Sequence, residues 1–401
     1  MATVVVLGGN FAGITSALET RRHVGNTDDR VIVLSRSADF LFIPSLIWVP
    51  FGIREITDIS LPLAPILDHH NVEFVQTEAT SVDLDNRTVT STAGVFAYDY
   101  LVVATGPKLD WSVPGTGPHG HTECVCTPQN ALAMRPKLAQ LLDAPGPVVV
   151  GANPRAGCIG AAYEFLLNLE HYLRRRGARP KATVTWVTPE PFLGHFGIGG
   201  MRTGEPMLRA MLEHLDVRWM TDAEIVSAGP GVVNLADGQQ LEAAFSMVMP
   251  AFLGQDVVTA SPGLGTEAGF VPVNGAYQHQ RHPEVFAAGV AIDVPSPFHT
   301  KVSLGVPKTG FPADVAGKTV GRNIATLIAG RNRRLRQRPF GRIPGLCVMD
   351  AGGKEVVMIS NHLMRPREFS LLLPNPFYDG GKHLFERYFL WKTRHGYSFL
   401  P

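Results

Sequence analysis

Cysteine is scarce in this chain: four in 401 residues, at positions 124, 126, 158 and 347. None has the close spacing of a disulfide-stapled secreted scaffold. Net charge is nearly absent at +1, so no global argument for binding nucleic acid exists. No apolar run approaches the ~20 residues that a membrane-crossing helix needs. The sequence opens directly in strand-like TVVVLGG, without a basic segment or cleavage site, so a signal peptide is not expected. Short repeats and low-complexity segments are also missing. What is present is 45% hydrophobic and 18% charged, the balance of a globular protein rather than a disordered one. The length suits two domains or one large interleaved unit. Charge is uneven in one place, RNRRLRQRPFGR from Arg331 to Arg342. That run reads first as a solvated loop and second as a contact with an anionic surface.

Two strand–glycine–helix patterns organise the chain. Thr3–Leu7 reads as a strand, Gly8, Gly9, Asn10, Phe11, Ala12 and Gly13 as a turn, and the stretch through Ala17 and Leu18 as a helix. Val31–Leu34 reads as the next strand. A strand feeding such a turn aims backbone N–H groups and the helix dipole at a pyrophosphate. Asn10 stands where the central glycine of G-x-G-x-x-G is usual, and the acidic residue expected after the second strand is replaced by Ser35 and Arg36. Ser35 remains able to reach an adenosine ribose. YDYLVVATGPKL, with Thr105 and Gly106, and VFAAGVAI, with Gly289, are two further strand ends that let backbone approach a cofactor. Three such elements in this order point to FAD. The fold class expected is α/β, with two Rossmann-like dinucleotide-binding domains, the second inserted in the first, and a C-terminal region. The boundaries expected are 1–110 and 251–340 for the two parts of the first domain, 111–250 for the second, and 341–401 for the C-terminal region.

The second pattern, PVVVGANPRAGCIGAAYEF, does not read as a good nicotinamide site. Five residues separate Gly151 from Gly157, which breaks the compact spacing a pyrophosphate needs, and Cys158 occupies the helix start. There the helix dipole is expected to favour the thiolate. The alternative is a small residue packed under a turn.

VCTPQNA, PGPVVVGANPRAGCIGAAYEF, TPEPFLGHFGIGG, GVPKTG, the Cys347 segment and FERYFLWKTRHG together resemble the sulfide:quinone oxidoreductase family, from residue 1 to about residue 396. The resemblance implies FAD-dependent oxidation of sulfide to polysulfide or sulfur, with electrons passing through redox cysteines and flavin to a quinone. Cys158 and Cys347 match the family's redox pair, and Cys126 its third cysteine, leaving Cys124 as an extra. Glu164 is a candidate proton acceptor near the thiols, or a helix-surface acid or buried ion-pair partner. His195 is a candidate proton carrier or a satisfied loop histidine. Lys308, Thr309 and Gly310 in GVPKTG suit the flavin, with Lys308 as a cation for its reduced form. Leu346, Lys382 and Phe385 match quinone-contact positions. Where the family usually carries a histidine after the third cysteine, this chain has Asn130.

The aromatic and basic C-terminal segment leads us to expect a peripheral, monotopic membrane contact, weakened because the sequence stops at Pro401. A homo-oligomer is left open. Two competing readings stand beside the quinone reductase. One is the flavoprotein subunit of a cytochrome-linked sulfide dehydrogenase. The other is a non-turnover FAD protein using its cysteines as a redox or sulfur sensor.

Overall fold

A computed structural model describes residues 1–330, 334–375 and 380–401. The basic run singled out above therefore begins, at 331–333, outside the described residues. In chain order the elements that build the site are β1 (Thr3–Leu7), α1 (Phe11–Val24), β2 (Arg30–Ser35), β3 (Glu73–Gln76) and β4 (Tyr100–Val103). Then come α2 (Pro128–Asp143), β5 (Val148–Ala152), α3 (Ile159–Arg175), β6 (Val184–Val187), β7 (Val217–Met220) and β8 (Phe245–Met249). The last are β9 (Val285–Ala287), α4 (Gly310–Ile328), β10 (Gly345–Asp350), β11 (Glu355–Ser360), β12 (Ser370–Asn375) and α5 (Gly381–Arg394).

Two parallel sheets carry the α/β architecture. The first has the order β9-β4-β1-β2-β3 and the second β7-β6-β5-β8. Every strand of the second sheet lies between β4 and β9 in the chain. Val4, Val5 and Val6 in β1 and Val102 and Val103 in β4 are fully buried. Parallel sheets are covered on both faces, so their strands read as continuous apolar runs instead of alternating ones. The first ten residues of α1 are all buried, because this helix is sandwiched between the first sheet and α4. One strand is shorter than its sequence suggests. The apolar run Val285–Val290 stops pairing after Ala287, and Gly289, at φ +71°, opens a short 3-10 turn.

The C-terminal region is an antiparallel sheet, β10-β11-β12, followed by α5. α5 lies beside β10 and buries polar residues on its inner face: Lys382, Glu386 and Lys392, with Phe389. Its tail returns to the first unit, where Ser398 Oγ donates to Glu19 Oε1 at 2.9 Å. Lys392 Nζ pairs with Asp314 of α4 at 2.8 Å. Outward it shows Leu384 and Trp391, and the tail shows Phe399, 68%, 46% and 48% exposed. Among the described residues no helix is long and apolar enough to cross a membrane.

Candidate active site

The first glycine turn packs α1 against β1 as closely as a dinucleotide cradle would require. Gly8 sits at φ +107°, and a Cβ there would collide with the carbonyl oxygen of Ala104. A Cβ on Gly13 would collide with Gly8 O, so α1 can start this close to β1 only with glycine present. Asn10, which interrupts the usual motif, is the N-cap of α1 and accepts from Phe11 N at 2.9 Å. Ser35 is buried at the end of β2, facing Gly9. Thr105 Oγ1 is buried without a hydrogen-bond partner at the end of β4, a donor available to a bound group. Ala12 lines the cradle's helix wall, and Gly289 approaches it. Gly106 has φ +72° and open space beside it. Thr309 is the N-cap of α4, and Gly310 packs on the Phe11 ring. Arg36 is exposed and held by Glu78 at 3.4 Å and Gln255 at 3.3 Å.

The second turn is closed from within. Arg155 N–H donates to Ser303 O at 2.8 Å, Ala156 N–H to Asn153 O at 3.0 Å, and Gly157 N–H to Pro250 O at 3.0 Å. The donors that would face a phosphate are thus spent on protein carbonyls. Gly305 lies so close over Arg155 O and Ala156 O that a side chain there would collide with both.

Cys158 is the N-cap residue of α3. α3 packs along β10, which carries Cys347, and brings the two thiols near enough for Cys158 to act on Cys347 through its charge. All four cysteines are free thiols. The helix start does not win: burial raises the Cys158 pKa above its ordinary value, against the lowering hydrogen bonds from Ala161 and Gly160 N–H. This corrects the thiolate expected from the dipole. Burial pushes Cys347 up to about 12, aided by Glu164 and Cys158 and opposed by Lys382. Cys126 lies well above its ordinary range, first through its hydrogen bond with Cys124, then through burial and the charge of Cys158.

Glu164 and Lys382 form a buried ion pair beside both thiols. Glu164 Oε1 also accepts Asp350 N–H at 2.9 Å. Burial still raises the Glu164 pKa, against the pull of Lys382. The pair sets the thiols from two sides, since Glu164 holds protons on Cys158 and Cys347 while Lys382 favours their release. Lys382, matched from the sequence to a quinone contact, thus has its ammonium on Glu164 and 4.6 Å from the centroid of the Trp48 ring.

Trp48 escaped the sequence reading. Its Nε1 donates to Asp350 Oδ2 at 2.6 Å, and its ring stacks on His383 at 4.3 Å. Nothing in FIPSLIWVP marks it, because its partners come from residues 350–383. Phe385 packs between Phe42 and Phe389, with centroids 6.1 and 6.0 Å away. Leu346 pairs with Ile359 across β10 and β11.

His195 is not part of this group. It is buried against Phe298 at 4.8 Å, and burial with the charges of Arg365 and Arg367 lowers its pKa to about 4, so it is neutral near pH 7. Lys308 is buried, donates to Ile292 O at 2.8 Å and lies 3.5 Å from the Phe270 ring centroid. Burial lowers its pKa to about 7. A cavity of about 410 Å³ runs between Lys308 and Gly157, the neighbour of Cys158, walled by Phe252, Phe270 and Phe298.

A family profile described as pyridine nucleotide-disulphide oxidoreductase matches residues 2–305. The sulfide-quinone reductase of Aquifex aeolicus is 35% identical over 98% of this chain and 91% of its own length. The mitochondrial sulfide:quinone oxidoreductase of Mus musculus is 25% identical over 73% of this chain. The X-ray structure of the Aquifex aeolicus sulfide:quinone oxidoreductase superposes with a TM-score of 0.93, covering 99% of this chain and 92% of that one at 33% identity. NDH2 from Plasmodium falciparum shares the fold, with a TM-score of 0.72 and 10% identity over 99% of this chain and 97% of that one. With near-complete coverage on both sides and the same α/β framework, the chain belongs to the sulfide:quinone oxidoreductase family of the pyridine nucleotide-disulphide oxidoreductases.

Proposed function

We propose that this protein oxidises sulfide to sulfane sulfur or polysulfide and passes the electrons to a quinone. The observation that carries the reading is that Cys158 and Cys347 lie near enough to feel the charge of one buried Glu164–Lys382 pair, with Cys158 also acting on Cys347. Hydrosulfide attacks one sulfur of the oxidised Cys158–Cys347 pair. A new S–S bond forms, the old one breaks, and the second cysteine leaves as a thiolate. Lys382 stabilises that thiolate, and Glu164, whose carboxyl burial makes more basic than usual, takes the proton of the attacking sulfide.

The cofactor we propose is FAD, with the turn at Gly8, Gly9, Asn10, Ala12 and Gly13 on its pyrophosphate, Ser35 on the ribose, and Thr105, Gly106, Gly289, Lys308, Thr309 and Gly310 toward the ring system. A flavin supplies the two-electron acceptor between the thiols and the quinone. The quinone is proposed to approach Leu346 and Phe385, beside the Trp48–His383 stack. His195 acts as a buried loop residue in this reading. The outer residues Leu384, Trp391 and Phe399, interleaved with Arg387 and Arg394, support a peripheral membrane contact.

The closed second turn argues against NADH as donor, since its backbone donors are already engaged. The test is an absorption and turnover assay on the purified protein with sulfide and a short-chain quinone. Sulfide is expected to bleach the flavin and drive quinone reduction, and Cys158→Ser and Cys347→Ser are each expected to stop turnover. Bleaching by NADH but not by sulfide would overturn the proposal.

A further inference from the structure

Two thiols have no place in the scheme above. Cys124 is 1% exposed and stands two residues before Cys126. The segment enters along β8, with Glu123 N–H donating to Ser246 O at 2.7 Å and Val248 N–H to Glu123 O at 3.0 Å. It then turns, and Cys126 N–H comes back to Cys124 Sγ at 3.3 Å. On its other side the Cys126 thiol lies 3.2 Å from Met249 Sδ. Met249 O in turn accepts Asn153 N–H at 2.9 Å, at the head of the turn that ends in Cys158. Cys126 is therefore placed between a buried partner thiol and the approach to the redox pair. Its titration responds to both neighbours, Cys124 and Cys158.

We propose that Cys124 and Cys126 form a second dithiol–disulfide couple that exchanges with the Cys158–Cys347 disulfide; this rests on the functional reading given above. Cys126, as thiolate, attacks Cys158 Sγ. The Cys158–Cys347 bond breaks, and Cys347 leaves and takes up a proton. Cys124 then attacks Cys126 Sγ, and Cys158 leaves in the same way. Two S–H bonds are lost at the first couple and two gained at the second, so two electrons have moved and no outside oxidant is needed. While tied to Cys124, Cys126 offers no free thiol. When the Cys158 and Cys347 thiols persist, the exchange runs backwards and frees it.

The experiment is thiol mapping of the full-length protein. The protein is incubated with excess short-chain quinone or with glutathione disulfide, without sulfide, then acid-quenched, alkylated and analysed by peptide mass. The expected result is that Cys124 and Cys126 escape alkylation together, in a peptide two hydrogens lighter than its dithiol form. Cys124→Ser is expected to leave Cys126 alkylated. Full alkylation of Cys124 and Cys126 in a wild-type protein that turns over sulfide overturns the couple and leaves the functional reading standing. A Cys124–Cys126 disulfide in a protein that does not turn over sulfide supports the couple and removes the functional reading instead. If Cys124→Ser does not fold, the wild-type map alone decides.

Discussion

Glu164 and Lys382 balance each other's charge in the interior, where their side chains are 9% and 2% exposed. Removing one strands the other, and breaking such a pair costs about 3–5 kcal/mol, whereas replacing both partners is often close to neutral. We therefore expect Glu164→Gln and Lys382→Met each to lower unfolding stability by about that amount in denaturant titrations, and the double variant to recover most of it. Turnover behaves differently. The double variant lacks the proton acceptor and is expected to stay slower than wild type by about 10²–10⁴-fold. Stability that fails to recover in the double variant would count against the pair as the reason for the loss. The sequence reading held both roles of Glu164 open, as base and as ion-pair partner, because its partner lies 218 residues away. It also ranked the forces on Cys158 wrongly. The helix start was visible in GCIGAAYE, but the burial that outweighs it comes from the packing of β10 and α5.

Elements that follow one strong local rule were legible, and those shaped by distant partners were not. The apolar runs of β1, β4 and β5 and the glycine turns after β1 and β5 read correctly, since buried parallel strands and close helix starts allow few other residues. The inner face of α5 read poorly, because Lys382, Glu386 and Lys392 are buried against charges on other elements. The loop carrying His195 is a third case. Buried Glu190 holds it, accepting from Phe196 N–H at 2.6 Å and from Tyr163 OH at 2.8 Å. Burial raises the Glu190 pKa from 4.5 to about 7, while burial beside Arg365 and Arg367 lowers that of His195 from 6.5 to about 4. The signs oppose. Between about pH 6.5 and 4 the unfolded chain takes up a proton at His195 that the folded one refuses, so that histidine costs stability on acidification. Between about pH 7 and 4.5 the folded chain takes up a proton at Glu190 that the unfolded one does not, so that carboxyl adds stability. Each effect has an upper bound of about 3 kcal/mol. Relative to wild type, His195→Phe is expected to grow more stable as pH falls from 6.5 to 4, and Glu190→Gln less stable as pH falls from 7 to 4.5. Unfolding midpoints across pH 4–8 measure both, and parallel curves for all three proteins would contradict the assignment.

At the scale of the whole molecule, the inserted second unit keeps a dinucleotide-binding fold but not the open turn that would use it. The overlying Gly305 segment seals it, so NADH is expected to leave the flavin spectrum unchanged under conditions where sulfide bleaches it. The C-terminal region presents one outward face. The tail is tied to the first unit through Ser398 and Glu19, and Lys392 anchors α5 to Asp314. This fixes the outward face instead of leaving it to swing. That face shows Trp391 and Phe399 about half exposed, with Arg387 and Arg394 near them. Aromatic rings suit the headgroup level of a bilayer, and arginines add attraction to anionic lipid that salt screens. We expect co-sedimentation with phosphatidylserine-containing vesicles, weaker in high salt and weaker still for neutral vesicles. The Trp391→Glu, Phe399→Glu variant is expected to lose most of this binding. Both side chains lie on the exposed surface, so its reduction of a water-soluble quinone is expected to match wild type. Reduction of a long-chain quinone embedded in vesicles is expected to fall with binding. If the variant sediments as wild type does, the outward aromatic face is not the membrane contact.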